Sequence, residues 1–281
     1  MPAEIEKSRR NPDFLVIGAM KCGTTTLYHD LVAQPSIFLP DKESNLLLGE
    51  NGPGKFRDAG AGRATGEVCP DYAKRPGIEG VAKRLPLDSA PKIIYLVRHP
   101  VERMISHHHF ISSQLPPQNP GMSDDIDLAI KEFPELIDYG RYGFQLEPWV
   151  ERFGRRAILV IRFEDYVTDR VGTLEGLFEF IGVPFLPELV REGEVHNRSA
   201  ARPVLSPIWK SIRENAGYRK LVRPLTSLAF RNRVRQLILP RAEDRPAPPN
   251  RETIERVTGV YREDLEHLRG LLGEESPLWK L

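Results

Sequence analysis

The chain has 281 residues, of which 40% are apolar, and this is enough to bury the core of one large or two small domains. Its formal net charge of +1 gives no bulk attraction to a nucleic-acid polymer. Two cysteines, Cys22 and Cys69, are too few for a disulfide framework or a cysteine zinc site. We find no signal-peptide pattern and no apolar run near the roughly 18 residues of a membrane span, so we expect a cytoplasmic protein.

The first strong pattern is a strand, a glycine turn and a helix. The apolar run Phe14–Ile17 predicts a buried strand, residues 18–26 are mostly small, and Leu27 and Leu31 continue at helical spacing. Such a turn points backbone N–H groups and a helix N-terminus at an anion. The spacing almost matches the P-loop signature, except that Thr24 stands where that signature has lysine, and Lys21 lies inside the loop. We therefore expect a phosphate loop that does not hold a magnesium-bound triphosphate.

Weaker elements follow this unit. In chain order we predict a short strand at 36–39, a loop opening a short helix at 40–48, a surface loop at 51–63, a strand at 65–73 stopped by Pro70, and a short helix at 80–85.

The second strong strand is Lys92–Pro100, whose continuous apolar run is typical of a central parallel strand and which has Arg98 at its exit. A helix is predicted at 101–112, and it carries Ser106. P-loop enzymes hold Mg²⁺ with an acidic residue at a strand end, whereas an arginine there binds an anion. With the loop at Lys21, this pattern predicts two separate phosphate sites and no metal.

The rest of the chain alternates between helices and strands. Helices are predicted at 124–133, 144–153 and 171–181, a third strong strand at 157–166, and an amphipathic helix at 254–272. Residues 202–251 carry twelve Lys and Arg against three Asp and Glu. We predict one α/β domain over 1–281, a doubly wound parallel sheet flanked by helices with a helical C-terminal extension, in which 202–251 is a basic helical segment on the acceptor side.

The chain resembles the sulfotransferases that use 3′-phosphoadenosine 5′-phosphosulfate (PAPS), in particular the bacterial and heparan-sulfate types. KCGTTTLY, Lys21–Tyr28, looks like their 5′-phosphosulfate loop, and LVRHPVERMISHHHF, Leu96–Phe110, is similar to their 3′-phosphate motif. The resemblance runs from about Asp13 to Trp279 and implies their P-loop-like fold. It implies donor contacts at these positions: Lys21, Cys22, Gly23, Thr24, Thr25, Thr26, Arg98 and Ser106.

Four other stretches resemble further segments of this family. PDKES, Pro40–Ser44, resembles the segment with a catalytic glutamate, here Glu43. GEVCPDY, Gly66–Tyr72, resembles a segment in which heparan-type members have a lysine where this chain has Val68. RFEDY and HNRSAARP are also similar to family segments; the second resembles the family's loop that closes over the nucleotide, and the resemblance makes Arg198 and Arg202 candidates.

These observations predict a metal-independent sulfotransferase. The resemblance implies that PAPS gives its sulfuryl group to a hydroxyl of a small molecule, carbohydrate or lipid. Lys21 would stabilise the charge that develops on the bridging oxygen, and Glu43 would accept the proton of the acceptor hydroxyl as general base. Asn45–Leu47 replace the aromatic pair that usually follows the glutamate in this family.

Several alternatives stay open at this point. A P-loop kinase would need an acidic metal ligand, for which Asp165 is the best candidate, and a non-catalytic nucleotide-binding module would bind without turnover. One of His107–His109 could replace Glu43 as the base, but three adjacent helical histidines point in different directions and do not easily share a metal ion. The 202–251 segment is either a solvated surface or a docking site for an anionic acceptor or a membrane surface.

Overall fold

A parallel five-stranded sheet forms the centre of the protein. A computed structural model describes residues 11–49, 62–78, 80–113, 121–191 and 247–281. The strand order is β2-β3-β1-β4-β5, and every pairing between neighbours is parallel. The strands are β1 Phe14–Gly18, β2 Ile37–Phe38, β3 Ala64–Val68, β4 Lys92–Val97 and β5 Ile158–Arg162.

The strand order creates a switch point beside β1. After β1 the chain forms β2 and β3 on one side of it, and then crosses to β4 on the other side. In open α/β sheets, ligands bind outside the carboxyl ends of the strands at such a point. The loops after β1, β3 and β4 therefore all leave the sheet near one crevice.

The apolar runs of β1 and β4 form the middle of the core. All five residues of β1 are buried, as are Ile93–Val97 of β4, so both faces of these two interior strands are shielded from water. This burial explains why their sequences are almost continuously apolar rather than alternating.

The α-helices and 3₁₀ turns connect and follow these strands. The α-helices are α1 Thr24–Val32, α2 Pro100–Ser112, α3 Ile126–Glu132, α4 Glu135–Asp138, α5 Tyr142–Phe153, α6 Phe163–Thr168, α7 Arg170–Ile181 and α8 Arg251–Leu272. Short 3₁₀ turns lie at Pro70–Ala73, Ala82–Arg84, Arg155–Ala157 and Pro187–Leu189. Within the ranges described above, none of the helices has both the length and the apolar character needed to cross a bilayer.

The chain forms two compact units. The first comprises 1–104, 134–196 and 251–281 and contains the whole sheet, whereas the second comprises 105–133 and 197–250. The boundary falls inside α2, between Met104 and Ile105.

The expected α/β fold is confirmed, as are the three strong strands and the C-terminal helix. Two local predictions were wrong. The third strand ends at Arg162, because the next residues form α6 rather than continuing the strand. The short helix expected within 40–48 is only a turn, in which the N–H groups of Leu48 and Gly49 both donate to the Asn45 carbonyl. Residues 50–61 and the basic stretch 202–246, with Arg202 and also Arg198, lie outside the described residues.

Candidate active site

The turn after β1 has the geometry of an anion-binding loop. It runs from the end of β1 at Gly18 to the start of α1 at Thr24. Lys21 and Gly23 have left-handed backbones, with φ of 72° and 91°. The first turn of α1 contains no acidic side chain, so its N–H groups and helix dipole favour an anion without competition.

Gly23 is required at its position for two reasons. A side chain would be strained at its φ, and an added Cβ would lie 2.9 Å from Cδ2 of Phe163. Phe163 is the first residue of α6, directly after β5. The loop therefore packs directly against the exit of β5.

Arg98 lies against the same aromatic ring. It follows the last residue of β4, and its guanidinium carbon is 5.2 Å from the centre of the Phe163 ring. Its guanidinium also makes a weak contact of 3.4 Å with the Glu102 carboxylate. Phe163 thus contacts both Gly23 and Arg98. The structure therefore brings the loop close to the arginine that the sequence analysis assigned to a second anion site.

Glu164 supports the helix that begins after Arg98. Its Oε1 accepts a hydrogen bond of 2.8 Å from the N–H of His99, one residue before α2 begins. A carboxylate at this place satisfies an N–H that the helix cannot bond internally. Phe163 and Glu164 were missed by the sequence analysis, which gave the RFEDY segment no contacts; their adjacency at the exit of a buried strand is the signal that was present.

The Glu43 loop follows β2 and lies beside the end of β3. Glu43 has a left-handed backbone with φ of 61°, and its N–H donates to the Val68 carbonyl at 3.0 Å. Its side chain is half exposed and contacts the ammonium group of Lys42. An exposed carboxylate on an anchored backbone is available to a ligand hydroxyl.

A buried glutamate, which the sequence analysis did not identify, anchors this loop. Both carboxylate oxygens of Glu67 on β3 accept hydrogen bonds, one from the Leu46 N–H at 3.1 Å and one from the Tyr72 hydroxyl at 2.6 Å. The same hydroxyl accepts from the Leu47 N–H at 3.0 Å. Because Glu67 is fully buried and both oxygens are occupied, it is a structural group rather than a competing general base.

Cys22, Thr24 and Thr26 are buried in the loop and the first turn of α1, whereas Lys21 and Thr25 are half-buried. Burial raises the pKa of the Cys22 thiol to about 11, although Arg103 lowers it in part. The buried thiol is therefore protonated and fills space behind the loop. We therefore expect this position to contact the nucleotide through its backbone N–H group and not through the cysteine side chain.

Ser106 and the three histidines lie on the part of α2 that belongs to the second unit. All four are buried, and Nε2 of His108 is 2.8 Å from the Ser123 carbonyl oxygen. Their burial makes Glu43 the more accessible candidate base. The contact of Ser106 with a 3′-phosphate stays a prediction.

Two points concern metal chemistry. Asp165, the candidate ligand of the kinase alternative, lies on α6 with a largely exposed side chain 3.8 Å from Arg162. In the part of the chain that the structure describes, no three His, Cys, Asp or Glu side chains cluster in a way that could hold an ion. The expected independence of metal stays a prediction.

Comparisons with known proteins agree with this geometry. A family model described as a sulfotransferase domain matches residues 81–200. The chain is 27% identical over 192 residues to heparan sulfate glucosamine 3-O-sulfotransferase 3A1 of Mus musculus, covering 63% of this chain and 47% of that protein. It is 23% identical over 137 residues to sulfotransferase 2B1 of Rattus norvegicus, covering 46% of this chain and 39% of that one. The chain thus spans less than half the length of these curated relatives.

The fold has a counterpart among solved structures. A sulfotransferase from Alicyclobacillus acidocaldarius superposes with a TM-score of 0.59 at 19% identity, covering 95% of this chain and 98% of that one. The strand order, the loop after β1 and the arginine after β4 thus occur in a chain whose sequence also matches a sulfotransferase domain and sulfotransferase relatives. This chain is therefore similar to sulfotransferases in sequence, over residues 81–200, and in fold.

Proposed function

We propose that the protein transfers a sulfuryl group from PAPS to a hydroxyl group of a small-molecule or carbohydrate acceptor. The observation that carries the proposal is that one ring, that of Phe163, lies against both the Lys21–Thr26 loop at Gly23 and the guanidinium of Arg98. A nucleotide with phosphate at both its 5′ and 3′ positions needs two such anion sites at a fixed separation.

The residues of the loop fit the 5′ end of this donor. Because Gly23 has no side chain, the loop backbone can approach a phosphosulfate group closely. The N–H groups at the start of α1 can donate hydrogen bonds to the oxygens of that group. Lys21 adds a positive charge on the loop itself. Arg98 and Ser106 would bind the 3′-phosphate. Arg198 and Arg202 of the HNRSAARP stretch would contribute further positive charge.

The reaction is an in-line displacement at sulfur. The acceptor oxygen forms a bond to sulfur while the bond from sulfur to the bridging phosphate oxygen breaks. Lys21 stabilises the negative charge left on that oxygen, and Glu43 accepts the acceptor's proton, a contribution of roughly 10²–10⁴-fold. The half-exposed side chain of Glu43 and its anchored backbone support this role.

The relatives suggest the class of acceptor. One is a heparan sulfate glucosamine 3-O-sulfotransferase and another is a 3-alpha-hydroxysteroid sulfotransferase from Cavia porcellus. We include carbohydrate, sterol and lipid hydroxyls among the proposed acceptors, with membrane-surface contact through 202–251 as a further element. The proposed location is the cytoplasm.

The test is transfer of radiolabelled sulfate from PAPS to a panel of hydroxylated carbohydrates and sterols, with and without a chelator. We expect transfer that the chelator leaves intact and that Glu43→Gln lowers at least about tenfold. Glu255→Gln on the exposed face of α8 is the matched control, with the same atomic change and unchanged transfer expected. Magnesium-dependent turnover of ATP without sulfate transfer would instead support a kinase, and nucleotide binding without either reaction would support a non-catalytic module.

A further inference from the structure

One phenolic hydroxyl holds the backbone of Arg98 from both sides. Tyr142, the first residue of α5, donates to the Arg98 carbonyl oxygen at 2.6 Å and accepts from the Arg98 N–H at 3.2 Å. The two residues are 44 positions apart in the chain. The proposed function assigns no role to Tyr142.

This contact replaces hydrogen bonds that the sheet does not provide. The last paired residues of β4 and β5 are Val97 and Arg162, so Arg98 lies one residue beyond the ladder. A backbone N–H and C=O at a strand exit need partners when water is excluded. Tyr142 provides both partners with a single oxygen atom and thereby fixes where the strand ends.

The same hydroxyl reaches the phosphate loop. It lies 3.7 Å from Sγ of Cys22, and the Tyr142 side chain is fully buried. Its ring packs edge-on against Tyr95, with ring centres 5.9 Å apart, and is tilted against Trp279, with ring centres 6.0 Å apart. Burial raises the pKa of Tyr142 well above its usual value, so its hydroxyl keeps its proton and remains a donor.

We propose that Tyr142 is a positioning residue that sets the distance between Arg98 and the Lys21–Thr26 loop, and thereby matches the two anion sites to a nucleotide phosphorylated at both ends. This inference rests on the proposed function. Tyr142 touches neither phosphate. It acts through the Arg98 backbone, while the Phe163 ring supports the guanidinium from another side.

The proposal distinguishes two ligands. Adenosine 3′,5′-bisphosphate engages both sites and is sensitive to their separation, whereas adenosine 5′-monophosphate engages only the loop. Removing the hydroxyl frees the Arg98 backbone and leaves the loop's N–H groups in place. Loss of the Tyr142 hydroxyl therefore weakens the binding of the bisphosphate and not that of the monophosphate.

The experiment is calorimetric titration of the full chain with both nucleotides, comparing Tyr142→Phe with Tyr95→Phe. The control removes the same atom from the neighbouring buried ring, and the Tyr95 hydroxyl has no hydrogen-bond partner among the described residues. We expect Tyr142→Phe to weaken the bisphosphate about tenfold and the monophosphate less than about twofold. Tyr95→Phe leaves both affinities unchanged.

A double variant tests whether Tyr142 acts through Arg98. In the Arg98→Ala background, Tyr142→Phe is expected to cause no additional loss of bisphosphate affinity, because the cation that it positions is gone. Additive losses, or equal losses for the two nucleotides, overturn the proposal and leave Tyr142 as a packing residue. If the wild-type chain binds neither nucleotide, the proposed function falls and the inference falls with it.

A measurement on the wild-type chain covers the case in which Tyr142→Phe does not fold. The Arg98 amide, held by the phenol, is expected to exchange slowly with deuterium in the nucleotide-free protein. Fast exchange of that amide would show that the hydroxyl does not hold the strand exit, and would overturn the proposal.

Discussion

The ring of Phe163 occupies the space that a side chain on Gly23 would need. An added methyl group would lie 2.9 Å from the ring at a backbone φ of 91°. Gly23→Ala therefore must displace Phe163 from the loop and from Arg98. We expect it to lower the free energy of unfolding by about 2 kcal/mol and to weaken adenosine 3′,5′-bisphosphate at least about tenfold, measured by thermal melting and calorimetry.

Gly176→Ala is the matched control for that change. Gly176 lies inside α7, and an added methyl group there would have no neighbour within 4 Å. Because alanine favours a helix interior over glycine by roughly 0.5–1 kcal/mol, we expect a slightly more stable protein with unchanged affinity. Equal behaviour of the two variants would show that the loop does not depend on this close approach.

The two cations of the site are expected to separate into catalysis and binding. Lys21 is assigned to the oxygen that gains charge in the transition state, so Lys21→Ala is expected to lower kcat more than bisphosphate affinity. Arg98 is assigned to a phosphate that does not react, so Arg98→Ala is expected to weaken the bisphosphate with a smaller change in kcat. Unchanged affinity in the arginine variant would contradict the assignment of the 3′ site.

Tyr72 is expected to control turnover from a distance. Its hydroxyl accepts from Leu47 and donates to Glu67, and both contacts fix the loop that carries Glu43. Tyr72→Phe leaves a buried carboxylate oxygen and a backbone N–H without these partners, at a cost of about 1–3 kcal/mol. We expect kcat to fall about tenfold while bisphosphate affinity is retained, and a parallel loss of both would contradict this role.

A buried ion pair next to the loop is expected to dominate local stability. Arg170 donates to both carboxylate oxygens of Asp30, at 2.9 and 2.6 Å, and both side chains are buried. The Tyr166 hydroxyl binds the same carboxylate. Arg170→Ala would leave that charge buried without its cation, so we expect a loss of about 3–5 kcal/mol in denaturant unfolding.

The exposed pair Arg251–Glu255 on α8 provides the comparison. It has the same chemistry with an N–O distance of 2.7 Å, but both side chains are largely in solvent. Arg251→Ala is expected to change the free energy of unfolding by less than about 1 kcal/mol. Similar losses from the two arginine variants would show that burial does not set the energy of the Asp30 pair.

Cys22 is expected to resist alkylation in the folded protein. Burial raises its pKa to about 11, so at about pH 8 only on the order of one thiol in a thousand is ionised, and access is also blocked. Mass spectrometry after iodoacetamide treatment is expected to show no label before unfolding and full label after it. Rapid labelling of the native chain would contradict the buried placement.

The sequence was sufficient for the parts of the fold that buried strands determine. The apolar runs of β1 and β4 gave their positions, and the glycine turn and Arg98 could be placed at strand exits because the carboxyl ends of parallel strands share an edge. The end of β5 was misplaced because Phe163 and Tyr166 have side chains that suit a strand as well as a helix.

The contacts that support the site could not be predicted. Tyr142 lies two residues before the helix predicted at 144–153, and its bond to Arg98 depends on how α5 packs beside the end of β4. Glu67 lies in a strand of mixed composition, where a buried carboxylate is not expected until its donors at Leu46 and Tyr72 are known. Periodicity reports which face of an element is buried, but not which polar atom meets another across the fold.

The strand order has a consequence for how specificity could be changed. The Glu43 loop is held by β3 and its 3₁₀ turn, on one side of β1, whereas Arg98, Tyr142 and Phe163 gather on the other side, around β4 and β5. The two halves of the crevice thus have largely separate supports. We expect that grafting residues 40–49 together with 66–73 from a related enzyme would redirect which alcohol is modified while nucleotide recognition is inherited intact.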